Sequence, residues 1–277
     1  MFDTIIIGGG PAGLSAAITA RQRGLAVAII TNDSRFSGLY KAPEVRNYPG
    51  FPEISGAELL NKLTAHALDA GAGLHIGRVS VISTSGGMFY VGYGNEILES
   101  KTLVLTVGVM QSSMFPGEEK LLGRGVSYCT TCDGMLYRGK RVCVFCLTPE
   151  AGAEAEYLTS IGCDVVRFGF DVKNRDISIN GDERVSSVTV DGVETDCDGV
   201  FIIRKTIAPN LLLQGLSMQS GHIVANNMGE TNIAGVFAAG DCIGPPYQIA
   251  KATGEGQKAA LAADEYINRK SEENERN

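Results

Sequence analysis

Two cysteines separated by two threonines, Cys129 and Cys132, are followed at once by an acid, Asp133. That spacing lets two sulfurs close a small ring, and a nearby helix N-terminus or cation can lower one thiol pKa enough to make a nucleophile. A carboxyl group beside the pair is suited to giving and taking the proton such chemistry moves. Cys129 and Cys132 are therefore the candidate redox couple, with Asp133 as its acid. A C-x-x-C alone is a weak signal. A rival lies close by, because Cys143-Val-Phe-Cys146 gives four cysteines in an order that could hold zinc or an iron–sulfur cluster. Cys143 and Cys146 fall inside the apolar run VCVFCL, however, and residues i and i+3 of a strand face opposite sides. No metal site is expected, and Cys143, Cys146, Cys163, Cys197 and Cys242 read as small buried hydrophobes.

The second chemical signal is G-G-G-P-A-G at Gly8 to Gly13, which contains G-x-G-x-x-G. Gly8 permits the tight turn, Gly10 lets backbone approach a pyrophosphate, and Gly13 allows a helix to pack closely. The motif follows a β-branched run and opens a helical pattern, so an anion would meet the unsatisfied N–H groups of a helix N-terminus. An acidic ribose ligand is expected after the next strand, where the chain has Thr31-Asn32-Asp33; Thr31 and Asp33 are both candidates.

The elements that must position these groups follow from periodicity. Thr4 to Gly8, Leu14 to Arg23 and Leu25 to Thr31 form a strand, helix, strand unit of a parallel sheet. Glu58 to Ala70 has helical spacing, and residues 79 to 101 alternate as a hairpin or meander before a buried strand from Leu103 to Val107. Phe115-Pro116-Gly117-Glu118 reads as a hinge. A second such unit begins with the strand Arg141 to Leu147, the helix Glu150 to Ser160 and the strand Cys163 to Phe168. More β structure follows from Ile177 to Val193 and from Asp198 to Arg204. Gly235 to Asp241 is a strand running into a turn, and a helix spans about Gln248 to Ile267. The charged end, from Lys270 on, is expected to fray.

The bulk properties fit this organisation. The 277 residues suffice for two domains, and 35 glycines suit many tight turns. A net charge of -7 argues against a nucleic-acid footprint. No apolar run approaches the roughly 18 residues that span a bilayer. The opening MFDTIII lacks a basic region and cleavage site, and the odd cysteine count does not suggest a secreted disulfide framework; both point to the cytoplasm.

In their order along the chain, these motifs resemble the low-molecular-weight thioredoxin reductases. GGGPAG is similar to that family's FAD-pyrophosphate loop (Gly8, Gly10, Pro11, Ala12, Gly13). The segment around Gly38 stands where the family has a glycine–glutamine pair, and N-Y-P-G-F-P from Asn47 is similar to its approach to the flavin ring. T-V-G ending at Gly108 stands for its A-T-G, and C-T-T-C-D for its active-site disulfide and acid. G-V-F-A-A-G-D resembles the second FAD motif, in which Gly240 and Asp241 would meet the ribityl or pyrophosphate region and Gln248 and Ile249 the isoalloxazine. The resemblance implies an α/β fold of two Rossmann-like, three-layer ββα domains. The FAD domain would be discontinuous, 1–112 and 231–277, and 115–229 would be a degenerate NADPH-type domain carrying the redox pair.

The departures concern the second domain. The family's glycine triplet is replaced here by Cys146-Leu147-Thr148, followed by Pro149, and its H-R-R by Gly169-Phe170-Asp171. Side chains crowd the turn where backbone must approach pyrophosphate, Pro149 removes a donor, and Asp171 would repel a 2′-phosphate. This resembles the NADPH-independent branch, the ferredoxin-dependent flavin thioredoxin reductases. The resemblance implies FAD as cofactor, ferredoxin as donor, thioredoxin as acceptor and a homodimer. Within it Cys132 faces the flavin and Cys129 attacks thioredoxin. The competing readings are an NADPH-dependent enzyme with an atypical site and a flavin-containing redox sensor.

Overall fold

The computed structural model describes the chain except residues 33, 35, 36, 109–114, 149, 150, 170, 173, 174, 205–207, 276 and 277; the side chains of Cys132, Asn274 and Glu275 also lie outside the description. The chain divides into two compact units, Met1–Met110 with Ala208–Asn277, and Gln111–Ile207.

The first unit opens with β1 (Phe2–Ile7), whose last four residues are buried, then α1 (Pro11–Gln22) and β2 (Val27–Thr31). Strands β1 and β2 pair in parallel, as the β-branched runs and short glycine turn require. Helix α2 (Gly56–Asp69) is capped by Ser55, whose side chain accepts from Glu58 N, and leads to β3 (Gly73–Ile76), which pairs in parallel with β2. Next come β4 (Val79–Ser85), β5 (Met88–Tyr93) and β6 (Glu96–Leu105), an antiparallel meander. The sequence suggests a hairpin segment and a separate strand from Leu103. One continuous β6 does both jobs: its first half pairs with β5, and the stretch from Ser100 to Leu105 pairs in parallel with β1.

The second unit begins with the short α3 (Glu118–Leu121), β7 (Val126–Ser127) and α4 (Thr130–Asp133), continued by a 3₁₀ turn at Gly134–Tyr137. Strand β8 (Arg141–Cys146), helix α5 (Ala151–Ser160) and β9 (Asp164–Phe168) then form the second parallel unit. Strands β10 (Ile177–Asn180), β11 (Ser187–Val190) and β12 (Val193–Asp196) make a three-stranded antiparallel sheet. Strand β13 (Gly199–Ile203) returns to the parallel sheet, whose order is β7-β13-β8-β9. Its core gathers Val142, Val144, Ala151, Ala155, Leu158 and Phe201.

The return to the first unit falls at Ala208, earlier than the Thr231 boundary suggested by the sequence. Helix α6 (Pro209–Leu212) and the small hairpin β14 (Met218–Gln219) with β15 (His222–Ile223) belong to the first unit. Asn232 fastens this hairpin by accepting from Ser217 N and donating to Gly215 O. Strand β16 (Val236–Ala238) pairs in parallel with β6, and α7 (Ile249–Glu275) closes the chain. The charged end does not fray where expected but stays helical to Glu275. Lys, Glu and Arg are good helix formers, and Lys270 pairs with Glu273 one turn on. Alanines of α1 and α7 fill the core together with Ile6, Ile29, Val104 and Phe237.

Candidate functional site

The glycine turn sits at the end of β1. Gly8 has φ +119, and a Cβ there would stand 2.2 Å from Thr106 O. A Cβ on Gly13 would stand 1.9 Å from Gly8 O, so both positions admit only glycine. Thr106, buried at the end of β6, donates to the carbonyls of Ile7 and Gly8 and fixes the turn. Gly10 differs. A Cβ placed on it would meet no described protein atom within 4 Å, so its lack of a side chain leaves room for something other than protein. It is also the N-cap of α1, with Pro11 at N1, and no side chain caps the helix. Those exposed N–H groups are an anion site by construction.

The other predicted residues of this unit divide. Asn47 and Gln248, far apart in sequence, come together: Asn47 Nδ2 donates to Gln248 Oε1 at 2.9 Å. Asn47 lines a groove of about 470 Å³ formed by residues 46–52. There Pro49 and Gly50 (φ +91) turn the chain, and Tyr48 stacks on Phe51. Ile249 opens α7 behind Gln248. Gly240 (φ +84) would clash with Ala12 if it carried a side chain, and its N–H donates to Glu255. Thr31 uses its hydroxyl locally, accepting from Gly9 N at 3.0 Å and donating to Asn32 O. Asp33 lies outside the described residues. At Gly38 and Gly108 (φ +74) a side chain would meet no described atom within 4 Å, and Tyr40 packs against the core.

Asp241 supplies the sharpest test of whether this unit fits a dinucleotide. Its Oδ1 is buried and, among the described residues, finds no hydrogen-bond partner. Burial pushes its carboxyl pKa up, against the pull of Lys251. An orphaned buried acceptor costs stability unless a ligand satisfies it. The turn, the open Gly10 and the orphaned Asp241 oxygen together fit FAD.

In the second unit, Cys129 is disulfide-bonded, while Cys143, Cys146, Cys163, Cys197 and Cys242 are free. Cys129 is 8 % exposed, and its carbonyl accepts from Asp133 N, closing one helical turn. Such a turn brings residues three apart together. The side chain of Cys132 lies outside the described residues. Ser127, which sequence reasoning missed, organises the corner: its hydroxyl donates to Asp133 Oδ2 at 2.6 Å and accepts from Cys129 N at 3.1 Å. The S-x-C spacing was the available signal. Beneath the turn lies a buried ion pair, Arg204 Nη2 to Glu118 Oε2 at 2.8 Å, with Tyr128 donating to Glu118 Oε1. Burial, then Glu118, pushes the Tyr128 pKa up, so it stays a neutral donor.

The turn after β8 has another character. Leu147 is only 8 % exposed, its N–H donates to Ile203 O, and Ala151 N closes back on Thr148 O. Burial pushes the Cys146 thiol up. Asp171 is exposed and stands 4.0 Å from Arg175. Pro149 and Phe170 lie outside the described residues. Among the described residues, no helix is long and apolar enough to cross a membrane.

A dinucleotide cradle and a protein disulfide on one chain are the equipment of a flavoprotein disulfide oxidoreductase. Residues 2–166 and 164–256 match the pyridine nucleotide-disulphide oxidoreductase family, and the chain belongs to it. It is 30% identical to a thioredoxin reductase of Bacillus subtilis (strain 168), covering 96% of this chain and 95% of that one. A crystal structure of a ferredoxin-flavin thioredoxin reductase from Clostridium acetobutylicum matches with TM-score 0.81 and 36% identity over 97% of this chain and 98% of that one. The atypical thioredoxin reductase TRi from Desulfovibrio vulgaris Hildenborough matches with TM-score 0.71 and 28% identity over 97% and 99% of the two chains. The activity is of the thioredoxin reductase type, with FAD as cofactor.

Proposed function

We propose that the enzyme reduces thioredoxin through Cys129 and Cys132 with electrons from reduced ferredoxin, and that NADPH is not its donor. The observation that carries the choice of donor is Leu147, a buried side chain in the turn where a pyridine nucleotide's diphosphate would need bare backbone. The likeness to a ferredoxin-flavin thioredoxin reductase supports the same reading.

In this reading the first unit holds FAD and the second carries the redox couple. The turn of Gly8, Gly10, Pro11, Ala12 and Gly13 would hold the pyrophosphate, with donors from the helix N-terminus other than Pro11, which has no N–H. Gly240 and Asp241 would meet the ribityl or pyrophosphate region, Thr31 would border the ribose, and Asn47, Gln248 and Ile249 would frame the ring, with Gly38 and Gly108 leaving room for it. Bound FAD supplies the conversion between single electrons from a donor and the pair needed by a disulfide.

Two electrons and two protons convert the Cys129 disulfide to a dithiol. The Cys129 thiolate then attacks one sulfur of the thioredoxin disulfide, forming a mixed disulfide and releasing a thioredoxin thiolate. Cys132 attacks the Cys129 sulfur, restoring the enzyme disulfide and freeing reduced thioredoxin. Asp133, held by Ser127, takes and returns the proton. Reconstitution with chemically reduced ferredoxin and thioredoxin tests this: thioredoxin dithiol should accumulate, and Cys129→Ser should lower its rate at least about a thousandfold. No thioredoxin reduction with ferredoxin would refute the reading.

A further inference from the structure

We infer that Glu154 is a positioning residue for the redox turn, acting through its hydrogen bond with Thr130. The inference rests on the reading of Cys129 and Cys132 as the working couple and goes beyond it. Thr130 is the first residue of α4 and lies between the two cysteines. It is 2 % exposed, and its hydroxyl donates to Glu154 Oε2 at 3.0 Å. Glu154 belongs to the first turn of α5, the helix that follows the crowded corner after β8.

The face of α5 that carries Glu154 explains why the bond matters. A Cβ on Gly134, just after α4, would stand 2.8 Å from Leu158 Cδ2, 3.1 Å from Ile161 Cδ1 and 3.5 Å from Tyr157 Cε1. Positions 154, 157, 158 and 161 share one helical stripe, spaced by three and four residues. Three of them pack against the segment following the redox turn. The fourth is a carboxylate placed where it meets the hydroxyl of Thr130, next to Cys129. Apolar contact would hold α5 against Gly134, and the Thr130–Glu154 bond ties α5 to the turn itself, between the cysteines.

Two physical effects follow, and they have the same sign. The bond stabilises the helical turn that the disulfide closes, so it favours the oxidised form. The Glu154 charge disfavours a thiolate nearby, as its contribution to the raised Cys146 thiol pKa, behind that of burial, illustrates. Losing the bond should therefore shift the couple toward the dithiol.

The test equilibrates the FAD-loaded full-length enzyme with dithiothreitol at defined ratios and counts free thiols, since five of the cysteines are already free. Thr130→Val and Glu154→Leu should each raise the equilibrium constant for reduction threefold or more, about 14 mV at 29.6 mV per tenfold. The double variant should do no more than Glu154→Leu alone, because that change already removes both the bond and the charge. Thr130→Ser should restore the wild-type value, a rescue that a purely steric role would not give. FAD content and melting temperature report whether each variant is folded, and the Thr130→Val and Thr130→Ser pair decides the matter if Glu154→Leu does not fold. Unchanged equilibria in folded variants, or fully additive shifts, would overturn this inference alone. A wild-type disulfide that dithiothreitol never reduces would overturn the functional reading as well.

Discussion

The corners after β1 and after β8 share an architecture and differ in what they can hold. Each central strand is flanked by parallel partners, β2 and β6 in one case and β9 and β13 in the other, and each leads into a helix. After β1, among the described residues, nothing stands within 4 Å of a Cβ on Gly10 and no side chain caps the helix. After β8, the corresponding stretch carries Leu147, buried in its own unit. The hydrogen-bond ladder preserves a topology, whereas a few side chains at a strand's end decide whether a dinucleotide can approach the backbone. The second corner has the same sheet, and the helix that follows it meets the redox turn through the Thr130–Glu154 hydrogen bond.

The strongest way to break this contrast is Gly10→Val. The new side chain would meet no described protein atom near its Cβ, so the fold should survive while FAD loading falls at least about tenfold. Flavin content against melting temperature measures both, and retained flavin would mean the first corner is not the cradle. Asp241→Asn should have the next largest effect, weakening FAD about tenfold, in line with roughly 1.5 kcal/mol for a hydrogen bond to a charged group. Its pH dependence has a definite sign. Burial raises the Asp241 pKa above 3.8 in the folded protein, so the FAD-free fold loses that stabilising protonation as pH rises through the raised value. A ligand that donates to the carboxylate favours the ionised form, so FAD affinity should climb over the same window and lose that dependence in Asp241→Asn. Fluorescence titration at several pH values checks this. The smallest effect is expected from Leu147→Gly with Thr148→Gly, which should leave ferredoxin-linked turnover within about twofold. NADPH oxidation assayed on that variant should remain negligible, because opening the turn supplies no 2′-phosphate clamp near Asp171.

The first corner was legible in the sequence because its signals are local: β-branched residues, then glycines at fixed spacing, then a helix opening on proline. The C-x-x-C signal is local in the same way, and Cys129 is disulfide-bonded. What sequence reading missed joins residues far apart or lacks periodicity. Glu154 acts through a side-chain hydrogen bond that no spacing rule announces, and for Ser127 the S-x-C spacing is a faint signal. The return at Ala208 was hidden because the hairpin that ties it down has strands of only two residues. Thr31 stands where a ribose ligand is expected, and the bond its hydroxyl also accepts from Gly9 N joins residues 22 positions apart. The charged C-terminal stretch looked like a tail because its polarity masked good helix formers.

The electron donor is tested most directly by anaerobic mixing of the FAD-loaded enzyme with each candidate. Reduced ferredoxin should bleach the oxidised flavin band and NADPH should leave it unchanged over many turnover times. Bleaching by NADPH at a rate matching thioredoxin reduction would contradict the account.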